Sequence, residues 1–192
     1  MFLISMKNIL RFLTLTSLLI SSENNFAQLK VRLQGSAAIP TGYAEDAVSL
    51  GYGGNINFSY PFLISNLELS LTTGYYYFGF KENLPDYDFS FSSVPVIAGL
   101  RFNLNDYDFI PYIGIEGGIY ISEYFLEIDY GLLGKTSSTT KKTHWGLSPE
   151  LGFKMNLTPV FDVDVNAKYN RINTVYIARA YLLFQTGFTY KF

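Results

Sequence analysis

Apolar and polar side chains alternate with a period of two along most of the chain between Leu29 and Phe192. This period puts successive side chains on opposite faces of a β-strand, whereas a helix repeats its apolar positions about every 3.6 residues. The same region has no long helical period and no run of 18 apolar residues. The alternation predicts eight strands, at 29–39, 50–60, 67–78, 94–103, 112–121, 144–155, 161–169 and 182–192.

Two features disturb this pattern locally. Phe89 and Phe91 lie out of phase with the apolar face of the fourth strand, which predicts a β-bulge near Ser92 and Ser93. The fourth and sixth strands each contain a proline, which cannot donate a backbone hydrogen bond and weakens the pairing around it.

The predicted connections alternate in length. The long ones are 41–49, 79–88, 123–140 and 170–179, and the short ones are 61–65, 105–109 and 158–159. Outer-membrane barrels combine short periplasmic turns with long outer loops. An even number of strands places both ends of the chain on the same side of the membrane. Because the first connection is a long one, that side is the one opposite the long loops. The spacing therefore predicts an up-and-down barrel with both termini in the periplasm.

Alternation alone also fits a secreted, lipocalin-like barrel, whose apolar face lines an inner cavity. Two features favour a polar interior. The apolar face of the fifth strand runs from Pro111 to Ile121, and eleven residues tilted by ~45° span about 25 Å, the apolar height of a membrane barrel. Small residues are needed in a narrow, crowded lumen. The glycines of the polar face are Gly51, Gly53, Gly74, Gly99, Gly114, Gly118, Gly146, Gly152 and Gly187.

The first 27 residues read as a secretory signal peptide. Lys7 and Arg11 precede a short apolar run, 12–20, and Ala27 is the expected cleavage residue. Residues 28–192 then form one barrel domain. Removing the signal leaves 12 of 14 basic and 15 of 16 acidic residues, without the basic stripe that nucleic-acid binding requires. The chain has no cysteine, which excludes disulfides and thiolate metal sites.

Four phrases, at 94–102, 111–114, 146–149 and 187–192, resemble the outer-membrane protein β-barrel domain family; they read VPVIAGLRF, PYIG, GLSP and GFTYKF. The resemblance implies an all-β, eight-stranded transmembrane barrel in the cell outer membrane of a Gram-negative bacterium. The last strand, ending at Phe192, resembles the C-terminal signal of such barrels. It implies two partners, outer-membrane lipid and the barrel-assembly machinery.

The polar face carries eleven charged side chains that almost cancel. They are Lys30, Arg32, Arg101, Lys154, Lys168 and Lys191, with Glu68, Glu116, Glu150, Asp162 and Asp164. Unpaired charges are costly in such an interior, so we expect a paired, side-chain-filled lumen rather than an ion pathway. Asp162 and Asp164 have the spacing of an acid–base pair, but we expect each of them to meet a lumen cation.

The single histidine, His144, lies near the outer end of the sixth strand, where a lipid-modifying enzyme would keep catalytic groups. Ser137, Ser138 and Glu123 are conceivable partners, but polar loop composition explains them equally well. We therefore predict no catalytic, cofactor-binding or metal-binding residue and no cofactor.

The longest connection continues the alternation through 123–130, which predicts a hairpin projecting from the membrane with a mobile tip at 131–140. Such a hairpin is either a solvated extension, which we favour, or an edge that binds another protein by strand addition.

The leading functional hypothesis is a structural or adhesion-type surface barrel without catalysis, binding an extracellular protein through its long loops. The second is a small-ligand binding or transport barrel, marked by unfilled lumen near Gly114, Gly118, Gly146 and Gly152. The third is an outer-leaflet lipid-modifying enzyme centred on His144.

Overall fold

The computed structural model describes residues 29–42, 45, 48–81, 86–174 and 179–192, so the predicted signal peptide lies outside the described residues. Its eight strands are β1 (Lys30–Thr41), β2 (Gly51–Phe62), β3 (Ile64–Gly79), β4 (Tyr87–Asn103), β5 (Phe109–Asp129), β6 (Lys135–Asn156), β7 (Phe161–Asn173) and β8 (Arg179–Lys191). A 3-10 turn, Gly131–Leu133, joins β5 to β6. Within the described part of the chain, no helix is long and apolar enough to cross a membrane.

Each strand pairs antiparallel with its neighbours in sequence, and β1 also pairs with β8, which closes the sheet into a barrel. At the seam, the backbone N–H of Phe192 donates to the carbonyl of Leu29 at 3.0 Å. Closure leaves no sheet edge within the barrel wall. The predicted eight-stranded up-and-down barrel is confirmed.

The two faces of the barrel are the inverse of those of a soluble protein. Leu33 and Leu151 on the outside are 60% and 64% exposed, whereas Arg32 and Glu68 inside are 1% and 0% exposed. An apolar surface this continuous needs a lipid environment, because water would have to solvate it at a cost of roughly 25 cal/mol per Å². The predicted polar interior is confirmed, and the lipocalin-like arrangement is wrong.

The two ends of the barrel differ. The terminal end carries Leu29, Phe192 and the three short connections, and the long-loop end carries the four long ones. Leu63, the single residue between β2 and β3, has a φ of 63°, which is unusual for a residue other than glycine. Regular pairing of β2 with β3 ends at Pro61 opposite Glu68, and the register shifts there. The predicted alternation in length is only partly confirmed: five residues join β4 to β5 and five join β5 to β6, because β5 and β6 extend into the predicted long connection.

The β-bulge predicted near Ser92 and Ser93 is wrong. The register of β4 against β3 and against β5 is unshifted across these residues, and Ser93 lies opposite Tyr76 and Ser122. Phe91 lies on the inner face and is buried, so its phase is that of the lumen and not of the lipid face. The sequence interpretation failed because it assumed that every aromatic side chain of this strand faces lipid.

Pro95 of β4 and Pro149 of β6 each interrupt a ladder, as predicted. The pairing of β3 with β4 skips the positions opposite Val94 and Pro95, and that of β6 with β7 skips those opposite Ser148 and Pro149. Each proline still pairs on its other side with β5, at Tyr120 for Pro95. The closed barrel tolerates the missing donors because neighbouring rungs remain intact.

The hairpin of β5 and β6 projects far beyond the barrel wall, and its tip is shorter than predicted. β5 continues to Asp129 and β6 begins at Lys135, so most of the predicted 131–140 tip is strand. β4 extends with them, pairing Tyr87 with Ile128. The result is a three-stranded sheet above the long-loop end, which we call the projecting sheet; it comprises 87–93, 122–129 and 135–144.

Candidate functional site

The lumen near the terminal end holds a cluster of charges around Glu68. Lys30 and Lys154 donate to its Oε1 at 2.7 and 2.9 Å, and Arg101 lies 3.7 Å from its Oε2. Glu68 is fully buried. Three cations around one carboxylate compensate the loss of hydration that burial imposes on all of them.

Tyr112 lies at the centre of this cluster. The guanidinium carbon of Arg101 is 4.6 Å from the centroid of its ring, and that of Arg32 is 5.7 Å away. The Tyr112 hydroxyl donates to Asp164 at 2.9 Å, and Gln34 donates to the same carboxylate at 2.8 Å. The ring therefore contacts cations with its face while its hydroxyl contributes to holding the neighbouring acid.

Glu116, Glu150 and Lys168 form a second cluster further along the lumen. The Lys168 ammonium contacts Glu116 at 2.5 Å and Glu150 at 3.2 Å. Ser70 and Thr72 donate to Glu116 at 2.8 and 2.7 Å. Every carboxylate predicted to line the lumen is thus held by a cation or by several hydrogen bonds.

Asp162 and Asp164 do not form an acid–base pair. Lys191 binds Asp162 at 2.6 Å, and Arg32 contacts Asp164 at 3.2 Å, so each acid meets a cation as predicted. Among the described residues, no group of three or more histidine, cysteine or acidic side chains has the arrangement of a metal site. The arrangement is that of a packed ion network that fills the lumen.

The lumen changes character towards the long-loop end, where aromatic and aliphatic side chains replace the ions. Phe78 packs on Phe91 and Tyr181 with ring centroids 5.3 Å apart in both cases, and Phe91 stacks on Tyr124 at 5.2 Å. The buried members of this aromatic layer are Ala38, Val48, Tyr76, Phe78, Phe91, Ile97, Tyr120, Ile172, Tyr181 and Leu183. The filled lumen is confirmed, with an apolar layer above its polar part.

Arg179 lies at the top of the aromatic layer. Its guanidinium carbon is 4.3 Å from the centroid of the Tyr124 ring and 6.0 Å from that of Phe91. It forms no ion pair with a carboxylate of the described residues. Sequence reasoning missed both the layer and this arginine; the phase of Phe89 and Phe91 was the available signal.

The lumen space beside the glycines of the ligand-binding hypothesis is occupied. A Cβ on Gly146 would meet the Tyr120 ring at 2.7 Å, and one on Gly152 would meet the Tyr112 ring at 2.8 Å. A Cβ on Gly114 would meet Glu150 at 2.8 Å. These glycines make room for large inward side chains and not for a ligand.

His144 lies on β6 opposite Tyr120 at the base of the projecting sheet, half-buried. No hydrogen bond or ion pair connects its ring to another described residue. Ser137 and Ser138 are six or more residues further along the same strand. The structure therefore does not bring together the hydroxyl and acid that the enzyme hypothesis requires.

One edge of the projecting sheet is free. β6 pairs with β5 along its whole length, but its pairing with β7 begins only at Trp145, opposite Asn173. Within the described part of the chain, residues 135–144 therefore present an unpaired strand edge. The sequence of this edge is KTSSTTKKTH, and residues 135–143 are all exposed.

Ion pairs cross the outer face of the projecting sheet. Lys141 donates to Glu123 at 2.9 Å, and this hydrogen bond, with the charge of the carboxylate, raises the pKa of Lys141 above its ordinary value. Lys135 donates to Glu127 at 2.9 Å, which raises the pKa of Lys135 in the same way. These cross-strand pairs agree with the register of β5 and β6 and add to it weakly, because they are exposed.

Aromatic side chains ring the apolar outside of the barrel. At the terminal end, Phe161 packs on Tyr190, which packs on Phe192, with centroids 5.1 and 4.7 Å apart. Towards the long-loop end, Trp145 is 51% exposed and Tyr52 is 67% exposed. Two aromatic girdles around an apolar band and a filled polar lumen define a transmembrane β-barrel protein.

The family follows from the sequence comparison. The family model for the outer membrane protein beta-barrel domain matches residues 12–192, and the chain belongs to this family. No curated protein matches the sequence.

Solved structures of outer-membrane proteins share the fold. Neisserial surface protein A is 21% identical, with 85% of this chain and 97% of that chain covered and a TM-score of 0.61. Ail, the attachment invasion locus protein of Yersinia pestis, is 18% identical over 86% and 97%, with a TM-score of 0.56. The outer membrane protease OmpT from Escherichia coli is 12% identical over 90% and 99%, with a TM-score of 0.53. At these identities the likeness concerns the fold alone.

Proposed function

We propose that this protein is a non-catalytic surface-interaction barrel that binds an extended extracellular polypeptide along the free edge of β6. The observation that carries this proposal is an edge of ten residues that no described strand pairs, on a sheet fixed by two further strands. An added strand would satisfy backbone donors and acceptors that no described strand satisfies. Because the edge is held by β4 and β5, little ordering is needed in the barrel itself.

The edge is polar, which keeps it soluble and selects its partner. Threonine, serine and lysine side chains flank it, so edge-to-edge aggregation is disfavoured. Self-pairing within one membrane is also disfavoured, because two barrels related by an axis along the membrane normal present strands that cross at about twice the ~40° tilt. Lys135 and Lys141 already pair with acids of β5, but Lys142 forms no ion pair with a described residue and favours an acidic segment.

The family and the loop pattern support a proposed orientation. We place both termini in the periplasm after removal of residues 1–27, and the projecting sheet outside the cell. The attachment and invasion named for Ail, and its complex with a heparin analogue, sucrose octasulfate, are in keeping with an outward binding surface. An outer-leaflet enzyme is less well supported, because His144 lacks polar partners among the described residues.

Hydrogen exchange on the full barrel in lipid nanodiscs tests the edge. The probe is a ten-residue peptide of alternating threonine and glutamate, and the control peptide has proline at every second position. We expect the probe to protect alternate backbone amides within 135–144, since only every second N–H points to the free edge. Equal protection by both peptides, or protection confined to other strands, would contradict strand addition.

Two variants separate the edge from the tip of the hairpin. Replacing residues 125–139 by Asn-Gly joins Tyr124 to Thr140, which are register partners, through a two-residue turn and removes half of the edge. Leu132→Ser changes only the exposed tip. We expect the first variant to lose peptide binding and the second to keep it; the reverse would assign binding to the tip.

Location and orientation are tested by cell fractionation and surface labelling. We expect recovery in the outer membrane, with faster gel migration before boiling than after it. A biotin reagent that cannot enter the cell should label a cysteine introduced at Leu132 and not one appended after Phe192. Labelling only of the appended cysteine would reverse the proposed orientation.

A further inference from the structure

On its inner face the projecting sheet is apolar along β4 and β5 and polar along β6, where Thr136, Ser138 and Thr140 lie, and it carries no acid of the described residues. Alternation places Tyr124, Leu126 and Ile128 of β5 on this face, next to Phe89 and Tyr87 of β4 in the adjacent register positions. Leu126 is 38% exposed and Tyr87 is 49% exposed. Water therefore contacts an apolar wall that rises above the aromatic layer for about 14 Å, at ~3.4 Å per residue from Tyr124 to Ile128.

Charge is segregated between the two faces of this sheet. The carboxylates of its strands, at Asp88, Glu123, Glu127 and Asp129, all alternate to the outer face, where two lysines pair with three of them. Lys142 alternates to the inner face, opposite Ser122, and forms no ion pair with a described residue. The inner face thus combines an apolar wall with uncompensated positive charge.

Arg179 supplies a second cation at the base of the wall. Its guanidinium lies over the Tyr124 ring at 4.3 Å, and the residue is neither fully buried nor paired with a described carboxylate. Stacking on an aromatic ring fixes the plane of a guanidinium and leaves its N–H edge free for a bidentate contact. The position is therefore preorganised for an anionic head group.

We propose that the inner face of the projecting sheet binds a single-chain amphipathic anion from the water phase, with its head group at Arg179 and its alkyl chain along Tyr124, Leu126 and Ile128. The two cations select a ligand with a negatively charged head group, and the apolar wall selects one with an apolar chain. Lys142, on the neighbouring strand, adds to the positive potential at the same end. This site uses a side-chain face of the sheet, so it is independent of the backbone edge proposed above.

Methyl NMR of the full barrel in nanodiscs of zwitterionic lipid tests this site, with octanoate as the probe and octanol as its uncharged counterpart. We expect saturable shifts at the methyl groups of Leu126 and Ile128 with octanoate. Octanol should bind about tenfold or more weakly, which corresponds to ~1.4 kcal/mol. Equal binding of the two probes, or shifts at lipid-facing methyl groups only, would overturn the proposal.

Matched arginine variants give the second readout. Arg179→Gln should weaken octanoate binding by about tenfold, whereas Arg171→Gln, which removes an exposed cation from the outer face of β7, should leave it within about twofold. Lys142→Gln serves in place of Arg179→Gln if the latter does not show the unboiled gel mobility of a folded barrel. Equal effects at Arg179 and Arg171 would assign the affinity to general surface charge.

A third arm separates a free ligand from a lipid of the membrane. Nanodiscs containing phosphatidylglycerol, without octanoate, should leave the Leu126 and Ile128 methyl signals where they are in zwitterionic lipid. Shifts in these nanodiscs would identify the head group of a bilayer lipid as the occupant and would overturn a ligand taken from the water phase.

Discussion

Arg101 stacks on the ring of Tyr112 with its guanidinium carbon 4.6 Å from the ring centroid, while the Tyr112 hydroxyl donates to Asp164 at 2.9 Å. Tyr112 thus contacts a cation with the face of its ring and an anion with its hydroxyl. Both partners are buried, so neither can exchange the contact for water. Tyr112 is the point at which the β4, β5 and β7 parts of the ion network meet.

Tyr112→Phe should destabilise the barrel less than Tyr112→Leu. The first change removes the hydroxyl that donates to Asp164 and should lower the free energy of unfolding by about 1–3 kcal/mol. The second also removes the ring beneath Arg101, which should add about 1–2 kcal/mol. Urea unfolding of the refolded protein in lipid vesicles measures both. A Phe variant as unstable as the Leu variant would show that the ring contributes nothing.

Lys168→Met should be among the most damaging single changes in the lumen. It leaves Glu116 and Glu150 without the ammonium that lies 2.5 and 3.2 Å from them, and an uncompensated buried charge costs about 3–5 kcal/mol. Combining it with Glu116→Gln should restore part of that loss. Strict additivity of the two changes would mean that the pair is not coupled.

Two separate layers of side chains fill the lumen, so we expect no steady conductance in planar lipid bilayers. The ion network around Glu68 fills the part near the terminal end, and the aromatic layer around Phe91 fills the part near the long-loop end. Phe78→Ala with Phe91→Ala should still give a closed barrel, because the ion network is untouched. Stable single-channel currents from the unmodified protein would contradict a filled lumen.

Period-two alternation was sufficient to predict the barrel and the inward position of all eleven lumen charges, because a strand has only two faces. It did not predict which charges meet, since Lys30 and Glu68 lie on β1 and β3, which do not pair with each other. The aromatic layer was missed because Phe89 and Phe91 were assigned by hydrophobicity and not by phase.

The length of β6 was underestimated for a different reason. Its first residues are threonine, serine and lysine, which by composition suggest a loop. Their strand conformation is fixed by pairing with β5, where Glu123 lies opposite Lys141, and not by local preference. The free edge at 135–144, on which the proposed function rests, therefore has no signal in composition alone.

The Lys141–Glu123 pair should respond to alkaline pH. The pKa of Lys141 is raised in the folded protein above its ordinary value of 10.5, so the pair stabilises the hairpin fully below that value. The contribution is lost as the pH rises through the raised pKa. Titration of the Lys141 side chain by NMR measures the shift, and Glu123→Gln should return it towards the ordinary value. An unchanged titration in that variant would exclude Glu123 as the cause.

Gly146 and Gly35 provide a matched pair that tests the packing of the lumen. A Cβ on Gly146 would lie 2.6 Å from the carbonyl oxygen of Arg171 and 2.7 Å from the Tyr120 ring, whereas one on Gly35 meets nothing within 4 Å. Gly146→Ala should therefore cost about 1–3 kcal/mol, because a backbone atom cannot yield as a flexible side chain does. Gly35→Ala faces lipid and should be neutral or stabilise by up to about 1 kcal/mol, since alanine restricts the unfolded chain. Urea unfolding in vesicles measures both, and similar losses in the two variants would mean that the inner and outer faces are equally tolerant and that the lumen is not tightly filled.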